Sequence, residues 1–295
     1  MASILVLGLG ELGQEVVKSI ATHPKRNDAR VAVLLRARKP EQLEKLKEWN
    51  VDVVSGNVAE DTQDALAMTF AEWHTVICCT GMYAPPETQI KIAKAALAAG
   101  TERYLPWQFG IDYDVVGRNS SQNLFDSQLD VRDLLRAQSQ TQWVIVSTGM
   151  FISFLFEPAF GLVNADRSVV TGIGSWDNEI TVTSPEDIGR LTAEIALVHP
   201  EIQGVVFTSG DTISMQRLAD VVERVTGHQV SRVLKTVPEL KAELAASPDD
   251  SMRKYRVVFA EGKGVAWRKS ESFNAVHGIR TQTVDEWASS SLRAQ

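Results

Sequence analysis

Two hydrophobic rhythms alternate through the first half of the chain. Short unbroken apolar runs, Ile4 to Leu7, Arg30 to Leu35 (RVAVLL), Val51 to Val54 and Thr75 to Cys79 (TVICC), read as buried strands, and another begins at Arg103 to Pro106. Between them apolar residues recur at helical spacing: Leu12, Val16, Val17 and Ile20; Leu43 and Leu46 after Pro40; Leu66, Phe70 and Trp73; then the alanine-rich Thr88 to Ala99, closed by Gly100. Strands apolar on both faces, joined by helices of this size, imply a parallel sheet covered on both sides. The fold class is α/β, a doubly wound parallel sheet of the Rossmann type.

The second half is less regular. Phe125 to Gln138 reads as a helix and Trp143 to Ser147 (WVIVS) as a buried strand, followed by an aromatic-rich stretch from Met150 to Phe160. Ser184 to Leu197 is a helix with a Ser-Pro-Glu-Asp start, Val205 to Ser209 a strand, and Ser214 to Thr226 a helix capped by Ser214 and ended by Gly227. From about Val237 the chain turns more polar, with a last helix from Val284. Ile213 to Lys235 imitates a helix-turn-helix, but the strand before it and the acidic chain argue against one.

Composition narrows the function classes. The chain has 295 residues, 44% hydrophobic and 23% charged, with a net charge of -7 and no Lys/Arg-rich run, so binding a polyanionic nucleic acid is not its task. No apolar stretch reaches the ~18 residues of a membrane span. The first apolar run lacks a basic flank and reads as a strand and not as a signal peptide, so a cytoplasmic location is expected. Cys78 and Cys79 are neighbours on a strand and point to opposite faces, which makes them buried thiols and not a disulfide. His23, His74, His199, His228 and His277 show no ligand spacing, so no metal is expected. No Gly-x-Ser-x-Gly elbow or Gly-Lys-Ser/Thr phosphate loop occurs, which argues against a hydrolase or kinase.

The most informative motif is Gly8-x-Gly10-x-x-Gly13, which leaves the first strand and opens the first helix. In a βαβ unit the first glycine permits the tight turn and the second lets backbone approach a pyrophosphate. The third packs the helix on the sheet, and the helix N-terminus faces the phosphates. Strand two ends Leu35-Arg36-Ala37-Arg38-Lys39 without an acid. An acid there would bind the ribose hydroxyls of NAD, whereas Arg36 and Arg38 suit the 2′-phosphate of NADP, unless they are merely solvated loop residues. NADP(H) is the expected cofactor. The division expected is an NAD(P)-binding domain over residues 1–150 and a smaller substrate-binding lobe over residues 151–295, interleaved with the sheet.

Taken together, the glycine motif, the Arg36 strand end, Val76 to Met82, Arg103 to Gly110 (RYLPWQFG), Phe125 to Arg132 and Ser147 to Phe151 (STGMF) resemble the NmrA-like and isoflavone-reductase-like branch of atypical short-chain dehydrogenases. The resemblance runs from the amino terminus to about residue 230. It implies an NADP(H)-binding monomer or homodimer that delivers hydride to an aromatic or conjugated small molecule of secondary metabolism. By that likeness Gly8, Leu9, Gly10, Glu11, Leu12 and Gly13 bind the pyrophosphate and Arg36 the 2′-phosphate. Thr80, Gly81 and Met82 follow the path toward nicotinamide, Phe109 lies near its ring, and Met150, Phe151 and Phe154 line the substrate site.

The chain departs from that pattern where the chemistry lies. Members that reduce their substrates carry a lysine three residues after the phenylalanine matched by Phe125, and here the position is Gln128. Trp107-Gln108 stands where Ser-Glu is usual. No Tyr-x-x-x-Lys exists, since Tyr83, Tyr104, Tyr113 and Tyr255 are followed four residues on by Glu87, Gln108, Gly117 and Phe259. Gln128 can orient a hydroxyl but cannot donate a proton of suitable pKa. Tyr113, between Asp112 and Asp114, is a candidate proton donor, or this segment is a capped turn. Asp126 and Gln128 point to different faces of their helix, so at most one faces the cofactor. Trp107 reads equally as a site wall or as core, the run from Met150 to Phe160 as an aromatic pocket or as core, and Trp176 as part of a lid or of an ordinary turn. A reductase is the first reading. A non-catalytic NADP(H)-sensing regulator and a redox-neutral dehydratase or isomerase on the same fold stay open beside it.

Overall fold

The computed structural model describes residues 3–37, 39–81 and 84–292. Arg38 and Met82, two of the expected cofactor contacts, lie outside the described residues, as does Tyr83. In chain order the first part contains β1 (Ser3–Leu7), α1 (Glu11–Ala21), β2 (Arg30–Leu35), α2 (Pro40–Glu48), β3 (Asp52–Ser55), α3 (Gln63–Phe70), β4 (Thr75–Cys78), α4 (Pro86–Ala98) and β5 (Arg103–Leu105). There follow α5 (Tyr113–Val116), α6 (Leu124–Arg136), β6 (Gln142–Ser147), β7 (Met150–Phe151), α7 (Ile152–Leu155), β8 (Val169–Ile173), β9 (Glu179–Thr183), α8 (Pro185–Leu197), β10 (Gly204–Phe207), β11 (Asp211–Ser214) and α9 (Met215–Thr226). The chain ends with β12 (Ser231–Lys235), α10 (Val237–Ala245), α11 (Ser251–Glu261), α12 (Phe273–Val276) and α13 (Val284–Ser291). Among the described residues, no helix is long and apolar enough to cross a membrane.

Two compact units alternate along the chain. The first consists of Met1–Phe109, Ser127–Val146 and Ile188–Val206, the second of Gly110–Asp126, Ser147–Asp187 and Phe207–Gln295. The chain crosses between them after Phe109, Asp126, Val146, Asp187 and Val206. The physical reason is that β6 and β10 complete the large sheet after the chain has already entered the second unit at Gly110.

The first unit is built on a seven-stranded sheet of order β10-β6-β5-β4-β1-β2-β3. The ladders β1–β2, β2–β3, β1–β4, β4–β5 and β5–β6 are all parallel. Strand order runs one way from β1 to β3 and the other way from β4 to β6, so the topological switch point lies between β1 and β4, where such sheets bind ligands. α1 buries Leu12, Val16, Val17 and Ile20, the face that helical spacing predicts. Leu5, Leu7, Ala32, Leu34, Val76, Cys78 and Tyr104 from the strands meet Leu66, Phe70, Ile92 and Leu135 from the helices in one core. Burial of the Cys78 thiol pushes its pKa up to about 12, which removes it from nucleophilic chemistry.

β5 is held by an unusual anchor. Arg103, 3% exposed, donates through Nη1 to the carbonyls of Ile195 and Ala196 and through Nη2 to those of His199 and Ile202. Its guanidinium thereby satisfies carbonyls in the last turn of α8 and just beyond it, which have no helical partner. Sequence reading ends α8 correctly at Leu197 but gives no hint of this cap.

The second unit carries a three-stranded sheet, β11-β9-β7, and a two-stranded one, β12-β8. β9 pairs antiparallel with β11 and parallel with β7, and β12 runs parallel to β8. Ser231–Lys235 is thus a strand, so the helix-turn-helix likeness of this stretch has no second helix. α9 and α13 are joined by ions: Arg217 meets Asp211 at 2.9 Å and Asp285 at 2.8 Å.

The helix layer of the first unit depends on one residue without a side chain. A Cβ on Gly189 of α8 would stand 2.5 Å from the Glu15 carbonyl oxygen and 3.0 Å from the Val16 amide of α1. Gly189→Ala is therefore expected to force the helices apart and to destabilise the protein by about 1–3 kcal/mol, read as a lowered midpoint in thermal or urea unfolding.

Candidate functional site

β1 ends at Leu7, and the chain leaves the sheet through Gly8, whose φ of +92° favours glycine. The Gly8 amide donates to the Leu34 carbonyl at 3.3 Å, and Thr80 Oγ1 donates to the Leu7 carbonyl at 3.0 Å. A side chain at Gly8 would collide with Thr80 Oγ1, and one at Gly13 would collide with the Gly8 carbonyl. The first and third glycines thus serve close packing of the loop and of α1, as the motif predicts.

Gly10 differs in kind. A Cβ built on it meets nothing within 4 Å, and Gly10 is the N-cap of α1 with no side chain to accept from the first turn. The first N–H groups of α1 thus have no side-chain cap, and the space beside Gly10 at the switch point is open. This is the geometry that receives phosphate. Leu9 and Leu12 are buried beneath the turn, while Glu11 is exposed at the first helical position. Partial burial of the Glu11 carboxyl raises its pKa above the usual carboxylate range.

Flanking strand ends complete the edge. On the β2 side, Arg36 follows the last strand residue and is exposed. On the β4 side, Thr80 and Gly81 follow the strand, with the Thr80 carbonyl held by Gln89 Nε2 at 2.6 Å. The Trp107 indole lies directly on the Gly81 backbone, so closely that any side chain at Gly81 would overlap it. Trp107 also packs against the core of this unit, so it is both a wall beside Gly81 and a core residue. Phe109 is buried, 7% exposed.

Gln128 sits on α6 in the same unit. It is 1% exposed, and both its Oε1 and its Nε2 lack a hydrogen-bond partner among the described residues. Asp126, two residues earlier, is half-buried and accepts from the Asn119 amide at 2.9 Å.

In the second unit, Asp112 caps α5, accepting from the amides of Asp114 at 3.1 Å and Val115 at 3.4 Å. That settles Asp112 as a capping residue. Tyr113 is buried, with its hydroxyl against the Gly110 backbone and its ring 4.9 Å from Phe125. The ring contacts continue from Phe125 to Tyr255 at 5.8 Å, from Tyr255 to Phe154 at 6.3 Å and from Phe154 to Phe160 at 4.9 Å. Met150 and Phe151 form β7 beside β9. Trp176 lies over Gly172 of β8, in a turn tied down by Asn178 Nδ2, which donates to Ile173 at 3.0 Å and Phe259 at 2.9 Å. Tyr255 escaped sequence reading: α11 lies in the polar stretch after Val237, and no motif marks it.

No cluster of His, Cys, Asp or Glu able to hold a metal occurs among the described residues. An open glycine turn over an uncapped helix at the switch point of a parallel sheet defines a Rossmann-type α/β protein. The NmrA-like family model matches residues 2–288, and the chain belongs to that family. It is similar to an NmrA-like family domain-containing oxidoreductase of Gibberella moniliformis, 42% identical over 97% of this chain and 96% of that one. It is also similar to isoflavone reductase homolog P3 of Arabidopsis thaliana, 24% identical over 84% of this chain and 82% of that one. Among solved structures, AtPrR2 with NADP+ and (+)-pinoresinol superposes with a TM-score of 0.80 at 17% identity, covering 98% of each chain.

Two variants probe this site. Gly10→Val, with no atom within 4 Å of the new Cβ, is expected to unfold at the wild-type temperature yet weaken NADPH binding by on the order of 100-fold in calorimetry. Glu11 places a carboxylate where phosphate charge would gather, so its protonation favours binding. NADPH affinity is expected to fall as pH rises through the raised Glu11 pKa, and Glu11→Gln to flatten that dependence in the same titration.

Proposed function

We propose that this protein is an NADP(H)-dependent reductase of an aromatic or conjugated small molecule. The observation that carries the reading is the open position at Gly10 over the uncapped start of α1, with Arg36 at the neighbouring strand end. The residues present fit the cofactor. Backbone amides of residues 9–13 hold the diphosphate, and the Arg36 guanidinium grips the 2′-phosphate with a charge-assisted fork. Thr80, Gly81 and Phe109 lie along the nicotinamide half. The oxidoreductase relative at 42% identity supports the same chemistry. When bound, NADPH supplies hydride to the substrate.

The protein's own contribution is placement and handling of the negative charge that forms on the acceptor. Gln128, neutral and buried, orients hydroxyl or amide groups at the reacting end. Tyr113 is the proton-donor candidate, since a phenol can protonate an oxyanion and an amide cannot. Met150, Phe151, Phe154, Trp107 and Trp176 are the proposed substrate contacts. The pinoresinol held by AtPrR2 is a planar-ringed molecule of the kind an aromatic lining accepts.

One observation favours a second reading. With Gln128 at the lysine position, the chain also suits a regulator that binds NADP(H) without turnover.

The deciding experiment follows loss of dihydronicotinamide absorbance with a panel of quinones, enones, phenolic ketones and benzylic ethers. Turnover of one class is expected. Silence across the panel with tight NADPH binding retained would favour the regulator. Arg36→Ala is expected to weaken NADPH by about 10- to 100-fold and to leave NADH within about twofold, measured by calorimetry.

A further inference from the structure

We propose that Gln108 is a positioning residue, fixing the Gln128 carboxamide as the hydrogen-bonding partner of the nicotinamide riboside half of the cofactor. The inference rests on the NADP(H) reading above and adds to it the device that aims Gln128.

The geometry begins with burial. Gln108 and Arg132 are both 0% exposed, and Gln128 is 1% exposed. Gln108 Nε2 donates to the Gln128 backbone carbonyl at 2.8 Å, and Arg132 Nε donates to Gln108 Oε1 at 2.8 Å. Gln108 therefore spans one turn of α6, gripping a carbonyl at residue 128 and a guanidinium four residues on. The Gln108 amide itself is fixed by a bond to the Pro106 carbonyl at 2.8 Å, just beyond the end of β5. All of these residues belong to one compact unit.

Beside this clamp, the Gln128 side chain is buried with neither heteroatom partnered among the described residues. Leaving a buried amide unpaired costs about 1–3 kcal/mol per group, so a protein gains nothing by holding it rigidly unless a ligand completes it. A carboxamide offers one acceptor and two donors. That pattern matches vicinal ribose hydroxyls, or another carboxamide, and matches a phosphate poorly.

Topology selects which half of the cofactor arrives there. Arg36 lies at the end of β2, on one side of β1, whereas β4 and β5 lie on the other. With strands about 4.8 Å apart, a molecule anchored by its 2′-phosphate at β2 and its diphosphate at β1 extends its nicotinamide end over β4 and β5. Gln108 holds Gln128 at the carboxyl end of β5.

The test compares two ligands by calorimetry: NADPH, and adenosine 2′,5′-bisphosphate, which lacks the nicotinamide half. Gln128→Leu, which removes an unpaired buried amide, is expected to keep or raise the melting temperature. It should weaken NADPH by on the order of tenfold and leave the bisphosphate within about twofold. Gln108→Leu should reproduce that selective loss. Gln108→Glu keeps the acceptor for Arg132 but loses the donor to Gln128, so it gives the same answer should the leucine variant not fold. Combined with Gln128→Leu, either Gln108 change should add no further loss of NADPH affinity, because Gln108 acts through Gln128. Equal weakening of both ligands by the Gln108 variants, unchanged NADPH affinity, or additive losses in the double variant would overturn the assignment. If the wild type binds neither ligand, the cofactor reading itself falls, whereas binding of both with no selective loss removes only the role of Gln108.

Discussion

The structure depends on backbone touching backbone where β1 turns into α1. Gly13 packs against the Gly8 carbonyl, and Gly8 sits against Thr80 Oγ1, which is itself bonded to the Leu7 carbonyl. This contact allows a helix to begin immediately above the strand that feeds it, with its free amides at the sheet edge. Any side chain at Gly8 or Gly13 would lift α1 and scatter those amides. The same economy of volume recurs at Gly189, where α8 meets α1, and at Gly81, where an indole lies on the chain. In each case a missing Cβ sets how closely two elements approach.

Much of this was legible in advance because it obeys local rules. The strands of the large sheet are short, continuously apolar runs, and the helices between them keep one buried face, so their order and type follow from periodicity. The glycine turn was legible for the same reason, since each glycine answers a named steric demand. β7, β8, β9, β11 and β12 were not. They are two to five residues long; SRVLK mixes polar and apolar positions without a clear period, and the alternation in EITVT lasts only five residues. Their pairing is decided by partners distant in sequence, as where β12 finds β8. Interleaving is expected from the sequence but its crossing points were not legible, because neither the end of β5 nor α6 carries a composition change there.

The candidate site divides along the same line. Gly8, Gly10, Gly13 and Arg36 could be named from motif and strand end alone. Gln108 could be noticed only as a departure from a pattern, and its grip on α6 depends on a helix turn twenty residues away. Tyr255 offered no signal, since its ring partners Phe125 and Phe154 come from other elements. Conversely Asp112, next to the candidate donor Tyr113, caps a single turn, as the alternative reading of that segment has it. Residues whose role is set by one neighbouring backbone group are readable, and residues whose role is set by tertiary contact are not.

The distribution of charge along the sheet edge has a chemical consequence. Ionic groups cluster at the β2 and β1 ends, with Arg36 and Glu11, whereas the β5 end presents Trp107, Phe109 and neutral carboxamides. The buried cation there, Arg132, has its Nε engaged by Gln108. On the proposed reading, binding strength and cofactor choice are then set at the phosphates, while the groups offered to the reacting end are neutral amides and rings, largely removed from water. A neutral, dry surrounding strengthens whatever dipoles are aligned toward a developing anion, and an amide held in place can stabilise such an anion without gaining or losing a proton. A lysine in place of Gln128 would bring a second cation within one turn of Arg132, so the substitution and the buried clamp are physically consistent with each other. On that reading proton delivery falls to a group other than the one that orients the cofactor, which separates two tasks that a single lysine would otherwise combine.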